Sequence, residues 1–122
     1  MKKVIIIDDT EDTVELGKAV LELNDIEAIG FNDARKALTE LKKGLKPDLI
    51  ITDMRMPEMS GSEFCAELRK DDKLKDLKVI YFTASSEKED PKLKEGGVIG
   101  CIFKPFDNDK FIMEVKKFLN KL

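Results

Sequence analysis

Residues 4–7 are a valine followed by three isoleucines, and this β-branched run ends directly in Asp8 and Asp9. Consecutive apolar residues are typical of a strand buried on both faces, because a strand with one exposed face alternates apolar and polar side chains. Strands of this kind occur mainly in parallel sheets that are covered by helices. The run therefore predicts a layered α/β fold in which two carboxylates follow the first strand.

Four more strand-like segments follow, and helical patterns lie between them. The other predicted strands are 28–31, 48–52, 79–82 and 98–103. The first predicted helix is 13–23, and the second is capped by Asn32, runs through Lys43 and stops at Gly44. The third begins at the capping box Ser60/Glu63. A short helix at 91–95 ends at Gly96-Gly97, and the last helix is capped by Asp107. Strands that alternate with helices form right-handed crossovers. We therefore predict an α/β fold of the (βα)₅ type, a doubly wound five-stranded parallel sheet.

The first and last helices are predicted to pack through apolar residues at helical spacing. In the first helix these residues are Val14, Leu16, Ala19, Val20 and Leu23. In the last helix they are Phe111, Ile112, Val115, Phe118, Leu119 and Leu122.

Composition excludes several classes of protein. The chain has 122 residues and is 42% hydrophobic, so residues 1–122 are expected to form one domain with its own core. Its net charge of −3 argues against binding nucleic acid or membranes through bulk charge. No signal-peptide pattern begins the chain, so a cytoplasmic location with reduced Cys65 and Cys101 is expected. The absence of histidine excludes His-based catalytic triads.

Polar groups follow four of the predicted strands: Asp8 and Asp9, Asp53, Thr83 and Lys104. In a parallel sheet these strand ends meet at one edge, which is where ligands bind in open α/β folds. Carboxylates held close together repel one another unless a cation lies among them. Oxygen donors without histidine or cysteine favour Mg²⁺. Asp53 can then act as a nucleophile towards a phosphoryl group, with the metal and Lys104 neutralising its oxygens.

Taken together, these motifs resemble the response-regulator receiver domain of two-component signalling, of the stand-alone, chemotaxis-regulator kind. The matching residues are Asp8-Asp9, Asp53-Met54-Arg55-Met56-Pro57, Gly61, Thr83-Ala84 and Lys104-Pro105-Phe106. They occur in the family's order and extend over essentially the whole chain. The resemblance implies a receiver domain over residues 1–122 with the flavodoxin-like strand order 2-1-3-4-5.

The resemblance also implies a role for each matching residue. Asp53 is the implied phosphoacceptor, and Mg²⁺ is held by Asp9, by Asp53, by the backbone carbonyl of Arg55 and, largely through water, by Asp8. Thr83 is the implied switch hydroxyl, with Ala84 giving it access, and Lys104 is the cation that pairs with the phosphate. The Lys104-Pro105 bond is expected to be cis.

The implied function is that of a signalling phosphoacceptor that catalyses only its own phosphorylation and dephosphorylation. The implied donor is a sensor histidine kinase or a histidine phosphotransfer protein, and the downstream protein target is not identified. If the chain is complete, its output comes from protein contacts. If it is an excised domain, the missing part decides the pathway, and the sequence leaves both possibilities open.

One position departs from the family pattern. The family often has tyrosine or phenylalanine three residues before the lysine, whereas this chain has Cys101. A switch through a rotating aromatic ring is therefore not expected. We expect the segment 83–97 to carry the response instead, with residues 85–90 reordering around Pro91.

Three alternatives use similar folds or chemistry. A haloacid-dehalogenase phosphatase needs a second aspartate two residues after its nucleophile, but Thr10 and Arg55 occupy those positions after Asp8 and Asp53. A flavodoxin-like FMN carrier needs a phosphate loop after the first strand, where acidic residues would repel phosphate. A pseudo-receiver scaffold is disfavoured because all five chemical positions are filled.

Overall fold

The computed structural model describes residues 1–84, 96–104 and 107–120, which form five strands and four helices. The strands are β1 Lys3–Ile7, β2 Glu27–Phe31, β3 Leu49–Thr52, β4 Val79–Ala84 and β5 Gly100–Lys104. The helices are α1 Glu11–Leu23, α2 Ala34–Lys42, α3 Gly61–Lys70 and α4 Asn108–Leu119. All strand pairs are parallel, in the order β2-β1-β3-β4-β5, which confirms the predicted fold class and strand order.

Two apolar clusters cover the two faces of the sheet. Val4 and Ile6 belong to the cluster under α1 and α4, whereas Ile5 and Ile7 belong to the cluster under α2 and α3. All four side chains are completely buried. The uninterrupted apolar run at the start of the chain is thus explained, because both faces of β1 lie in a core.

The face that α1 presents to the sheet differs from the predicted one. Leu16 and Leu23 are 46% and 84% exposed, whereas Gly17 and Leu21 are buried. A Cβ atom at Gly17 would lie too close to the Cδ1 atom of Ile6, so the glycine allows the helix backbone to approach β1 directly. Of the five residues predicted for this face, Val14 and Val20 are buried as expected, whereas the prediction is wrong for Leu16, Ala19 and Leu23, which are exposed. The apolar pattern gave no weight to Gly17, around which the buried face is centred.

Helix caps follow the sequence pattern closely. Ser60 and Glu63 form the predicted capping box, and the Asp107 carboxylate accepts a hydrogen bond from the Asp109 backbone N–H at 2.9 Å. Asn32 is not the cap of α2, because the carboxylate of its neighbour Asp33 accepts the Arg35 backbone N–H at 2.9 Å. That prediction was wrong by one residue, since both side chains are good caps.

Arg69, in the last turn of α3, fastens two loops to that helix. Its guanidinium donates hydrogen bonds to the backbone carbonyls of Lys75 at 2.6 Å and Leu77 at 2.9 Å, in the α3–β4 connection. It also donates to the carbonyls of Gly96 at 2.9 Å and Gly97 at 3.4 Å. The chain before β5 is thereby held against α3.

Some predictions concern residues outside the described part of the chain. These are the short helix at 91–95, the reordering of 85–90, the cis bond at Pro105 and the burial of Leu122. In α4, Phe111, Val115, Phe118 and Leu119 are buried as predicted, and Ile112 packs against them. Among the described helices, none combines the length and apolar character that a membrane span requires.

Candidate functional site

Three carboxylates converge at the carboxyl edge of the sheet. Asp8 and Asp9 follow β1 and Asp53 follows β3, which are neighbouring strands in the middle of the sheet. One oxygen from each carboxylate lies within 4.8 Å of the others. Asp8 is fully buried and Asp53 is 9% exposed, whereas Asp9 is exposed. The structure thus brings the three predicted acids together and leaves one side of the cluster open to solvent.

Main-chain hydrogen bonds fix the two buried acids. The Asp53 N–H donates to the Ile7 carbonyl at 2.8 Å, and the Asp8 N–H donates to the Phe31 carbonyl at 3.1 Å. The Asp8 side chain accepts the Thr10 N–H at 2.9 Å. The ladders of the sheet therefore determine where both carboxylates lie, before any ligand binds.

Lys104, at the end of β5, is the cation of the site. Its Nζ atom lies 2.6 Å from Asp8 Oδ2 and 3.4 Å from Asp53 Oδ2. It also lies 5.0 Å from the centroid of the Phe82 ring, within the range of a cation–π contact. One ammonium group therefore bridges two carboxylates, and the cluster of three acids keeps an excess of negative charge.

The pKa values of Asp53 and Lys104 reflect this crowding. Burial raises the pKa of Asp53 above its usual value, and the charge of Asp8 raises it further, while Lys104 opposes both effects. Burial alone would lower the pKa of Lys104, but its hydrogen bond to Asp8 and the charges of Asp53 and Asp8 outweigh burial, so the pKa is raised. Lys104 is thus firmly protonated, and an additional cation would favour the ionised form of Asp53.

Thr83 lies at the same edge of the sheet. It is 1% exposed and pairs in register with Phe103, so that the next pair is Ala84 with Lys104. The predicted switch hydroxyl of Thr83 and the predicted cation Lys104 therefore lie on adjacent strands, and their positions along the strands differ by one residue. Arg55 is exposed, and its backbone N–H approaches Asp53 Oδ1 at 3.4 Å. The predicted role of its carbonyl as a metal ligand stays a prediction.

Gly61 has a physical role that the sequence motif alone does not reveal. Its N–H donates to the Met54 carbonyl at 2.9 Å, which folds the loop after Asp53 back onto the start of α3. A Cβ atom at this position would lie 2.5 Å from the backbone oxygen of Asp53 and 3.0 Å from the Tyr81 ring. Glycine is therefore required for the close packing that holds the backbone of Asp53.

The sequence pattern did not indicate that two aromatic residues lie near the site. Phe82 lies beneath Lys104, and Tyr81 is fully buried opposite Cys101 in the β4–β5 register. Both belong to a strand that was recognised only as an apolar run. Cys101 itself is half-buried, so the position where the family often has an aromatic ring holds a small side chain next to a buried tyrosine.

The donor set of the cluster suits a hard divalent cation. All the candidate side-chain ligands are carboxylate oxygens, and one of them is exposed, so a metal can bind there while keeping several waters. Within the described residues, the cluster includes neither histidine nor cysteine, whose nitrogen and sulfur donors transition metals prefer. The residues therefore fit Mg²⁺.

Comparison with known proteins identifies relatives along nearly the whole chain. A family model, that of the response regulator receiver domain, matches residues 4–116. The polar-differentiation response regulator DivK of Brucella anthropi is 34% identical over 119 residues, which cover 97% of this chain and 96% of the relative.

Solved structures show the same similarity in three dimensions. The chemotaxis response regulator CheY4 of Vibrio cholerae superposes with a TM-score of 0.87 at 26% identity, covering 97% of this chain and 98% of the other. The response regulator protein TrrA of Thermotoga maritima, solved in complex with Mg²⁺ and BeF, superposes with a TM-score of 0.82 at 32% identity, covering 97% and 99% of the two chains.

Proposed function

The chain belongs to the family of response regulator receiver domains of two-component signalling, and from this premise we propose that Asp53 is the residue that accepts the phosphoryl group. The observation that carries the proposal is the cluster of three carboxylates in which Lys104 contacts both Asp8 and Asp53. Asp53 is the acid of this cluster that follows the central strand β3. Family membership argues against the phosphatase and flavin-carrier alternatives.

The proposal includes Mg²⁺, held by the carboxylates of Asp8, Asp9 and Asp53 and the backbone carbonyl of Arg55. The exposed position of Asp9 supports a direct contact with the metal, whereas buried Asp8 is already engaged by Lys104. When bound, the cation supplies positive charge that stabilises the phosphoryl oxygens during transfer. The similar protein TrrA was solved with Mg²⁺ and BeF.

In the proposed reaction, a carboxylate oxygen of Asp53 attacks the phosphorus atom of a phosphohistidine. The new O–P bond forms as the N–P bond breaks, and the electron pair of that bond leaves on the histidine nitrogen. Lys104 donates a charge-assisted hydrogen bond to a phosphoryl oxygen, and the Thr83 hydroxyl donates another. The small side chain of Ala84 leaves room for that approach.

The phosphohistidine belongs to a sensor histidine kinase or a histidine phosphotransfer protein, and the phosphorylated form acts on a downstream protein target. The chain's own catalysis is limited to its phosphorylation and dephosphorylation. A cytoplasmic location is part of the proposal, and the free thiols of Cys65 and Cys101 are consistent with it.

The experiment that tests this function is labelling with acetyl phosphate, followed by intact-mass spectrometry with and without Mg²⁺. The wild type should gain one base-labile phosphoryl group only when Mg²⁺ is present, and Asp53→Asn should gain none, because an amide is not a nucleophile. Asp48→Asn is the matched control, since Asp48 lies at the other end of β3 and accepts the Lys3 backbone N–H at 2.8 Å. Full labelling of Asp53→Asn would contradict the assignment, and an unlabelled wild type would favour a pseudo-receiver.

A further inference from the structure

A cavity lies at the opposite edge of the sheet from Asp53. It has a volume of about 640 Å³ and lies between the α2–β3 connection and the α3–β4 connection. This volume is within the range of small-molecule sites in proteins. Leu45 and Lys46, which line it, precede β3, whereas Asp53 follows that strand. The cavity is therefore separate from the acidic cluster.

The interior of the cavity is aliphatic. Leu41 and Leu74 are 2% and 5% exposed and belong to the core cluster under α2 and α3, and Leu45 and Leu77 pack against that cluster. Among the described residues, none that lines the cavity is aromatic. A nucleobase would find no ring to stack on, whereas an alkyl chain would contact mainly Leu45 and Leu77, the two leucines that are only partly buried.

The rim of the cavity is strongly basic. Four lysines and one aspartate of the described part of the chain line it, which gives these residues a summed charge of +3 in a chain whose net charge is −3. The lysines are Lys42, Lys43, Lys46 and Lys73, all of them exposed. The Asp71 carboxylate accepts the backbone N–H of Lys73 at 2.8 Å, and the Lys43 ammonium lies 3.5 Å from Glu40. The charge that remains is positive and surrounds an apolar floor.

From this combination we propose that the cavity binds a small amphiphilic anion, an alkyl chain that ends in a carboxylate or phosphate group. The chain contacts the leucines, and the anionic head lies among the lysines. Lysine ammonium groups act as point charges, so they accept either head group without the planar geometry that arginine imposes. The ligand is a monomeric amphiphile, because the leucines line a cavity and do not form a flat apolar face.

The test is an NMR titration of the amide signals of the full chain with hexanoate, octanoate and decanoate, at constant ionic strength and below the concentration at which micelles form. Saturable shifts are expected at Gly44, Leu45 and Leu77. The affinity should rise by up to about fourfold with each added methylene, the full increment being reached only where that methylene is buried against the leucines. Octanol, which lacks the charge, should bind roughly fivefold more weakly than octanoate.

Variants separate the two halves of the proposal. The double variant Lys42→Gln/Lys46→Gln should weaken octanoate binding roughly fivefold. Lys70→Gln is the matched control, because this exposed lysine pairs with Glu67 at 3.0 Å and does not line the cavity. Leu45→Asn should reduce the dependence on chain length. Lys42, Lys46 and Lys70 are exposed, so their variants should keep the wild-type unfolding midpoint. Leu45 is partly buried, so its variant is titrated well below its own measured unfolding midpoint.

Several results would overturn the proposal: no saturable shift, equal affinity for octanol and octanoate, or shifts centred away from the cavity. A separate arm uses vesicles of phosphatidylglycerol, with phosphatidylcholine vesicles as the uncharged comparison. Binding to phosphatidylglycerol vesicles without binding to octanoate would also overturn it, since the basic rim would then recognise a membrane surface.

Discussion

Replacing Arg69 with alanine should lower the stability of the domain substantially, although the side chain is far from the acidic cluster. Two of its four hydrogen bonds, to the carbonyls of Leu77 and Gly96, are partly buried, and the other two are exposed. A hydrogen bond from a charged donor contributes about 1.5–3 kcal/mol when buried, so partial exposure leaves about 1 kcal/mol for each of the first two. Adding a smaller share for the exposed pair, we expect a loss of about 2–3 kcal/mol in the free energy of unfolding, or a fall in Tm of about 8–12 °C.

The assay is urea and thermal unfolding followed by circular dichroism, combined with amide hydrogen exchange at Gly96 and Gly97. Arg69→Lys should recover only part of the lost stability, because one ammonium group cannot reach four carbonyls in the planar arrangement of a guanidinium. Arg35→Ala is the control, since Arg35 is an exposed arginine whose main partner is the adjacent cap Asp33 at 2.7 Å. A loss below about 0.5 kcal/mol in Arg69→Ala, or equal stability of Arg69→Lys and wild type, would refute the reasoning.

Three further predictions concern the site and the core. Asp53→Asn should raise the Tm of the metal-free protein at neutral pH, because burial raises the pKa of Asp53 above its unfolded value of 3.8. The folded protein therefore loses stability as the pH rises from 3.8 through the folded pKa, where the buried carboxyl group becomes charged. In thermal melts below pH 3.8 the variant and the wild type should have the same Tm. Gly61→Ala should slow labelling by acetyl phosphate, because the added Cβ lies 2.5 Å from the Asp53 carbonyl oxygen; a wild-type rate would show that the loop absorbs the methyl group. In the native protein at pH 8, iodoacetamide should modify Cys101 well before Cys65, whose pKa burial raises to about 11; peptide mass mapping that finds Cys65 modified first would contradict this order.

The sequence predicts the fold and the place of the site well, because both depend on patterns that are local in the chain. The apolar run of β1 and the acids after β1 and β3 are short-range signals, and the parallel topology brings the strand ends together. Features that depend on tertiary packing were not predictable in this way. The packing face of α1 is determined by Gly17 and its close approach to Ile6, and a glycine contributes nothing to a pattern of apolar side chains.

The same distinction holds within the site. Asp53 and Lys104 were identified as site residues by their motifs, but the position of Lys104 over the Phe82 ring and its short contact with Asp8 were not. These contacts join residues on different strands, so no spacing in the sequence encodes them. Arg69 is a similar case, since its carbonyl partners lie in two loops that only the folded chain brings to one side of α3.

The contact between Lys104 and Asp8 joins residues that are 96 positions apart. On a ribosome, β1 and β3 emerge long before β5, so the two buried acids are present early while their cation is still being synthesised. The acidic cluster is therefore without its lysine until nearly the whole chain is available and β5 has joined the sheet beside β4. The ion pairs of the cluster therefore form only after β5 has been synthesised, whereas the two buried carboxylates follow strands that can pair with each other much earlier.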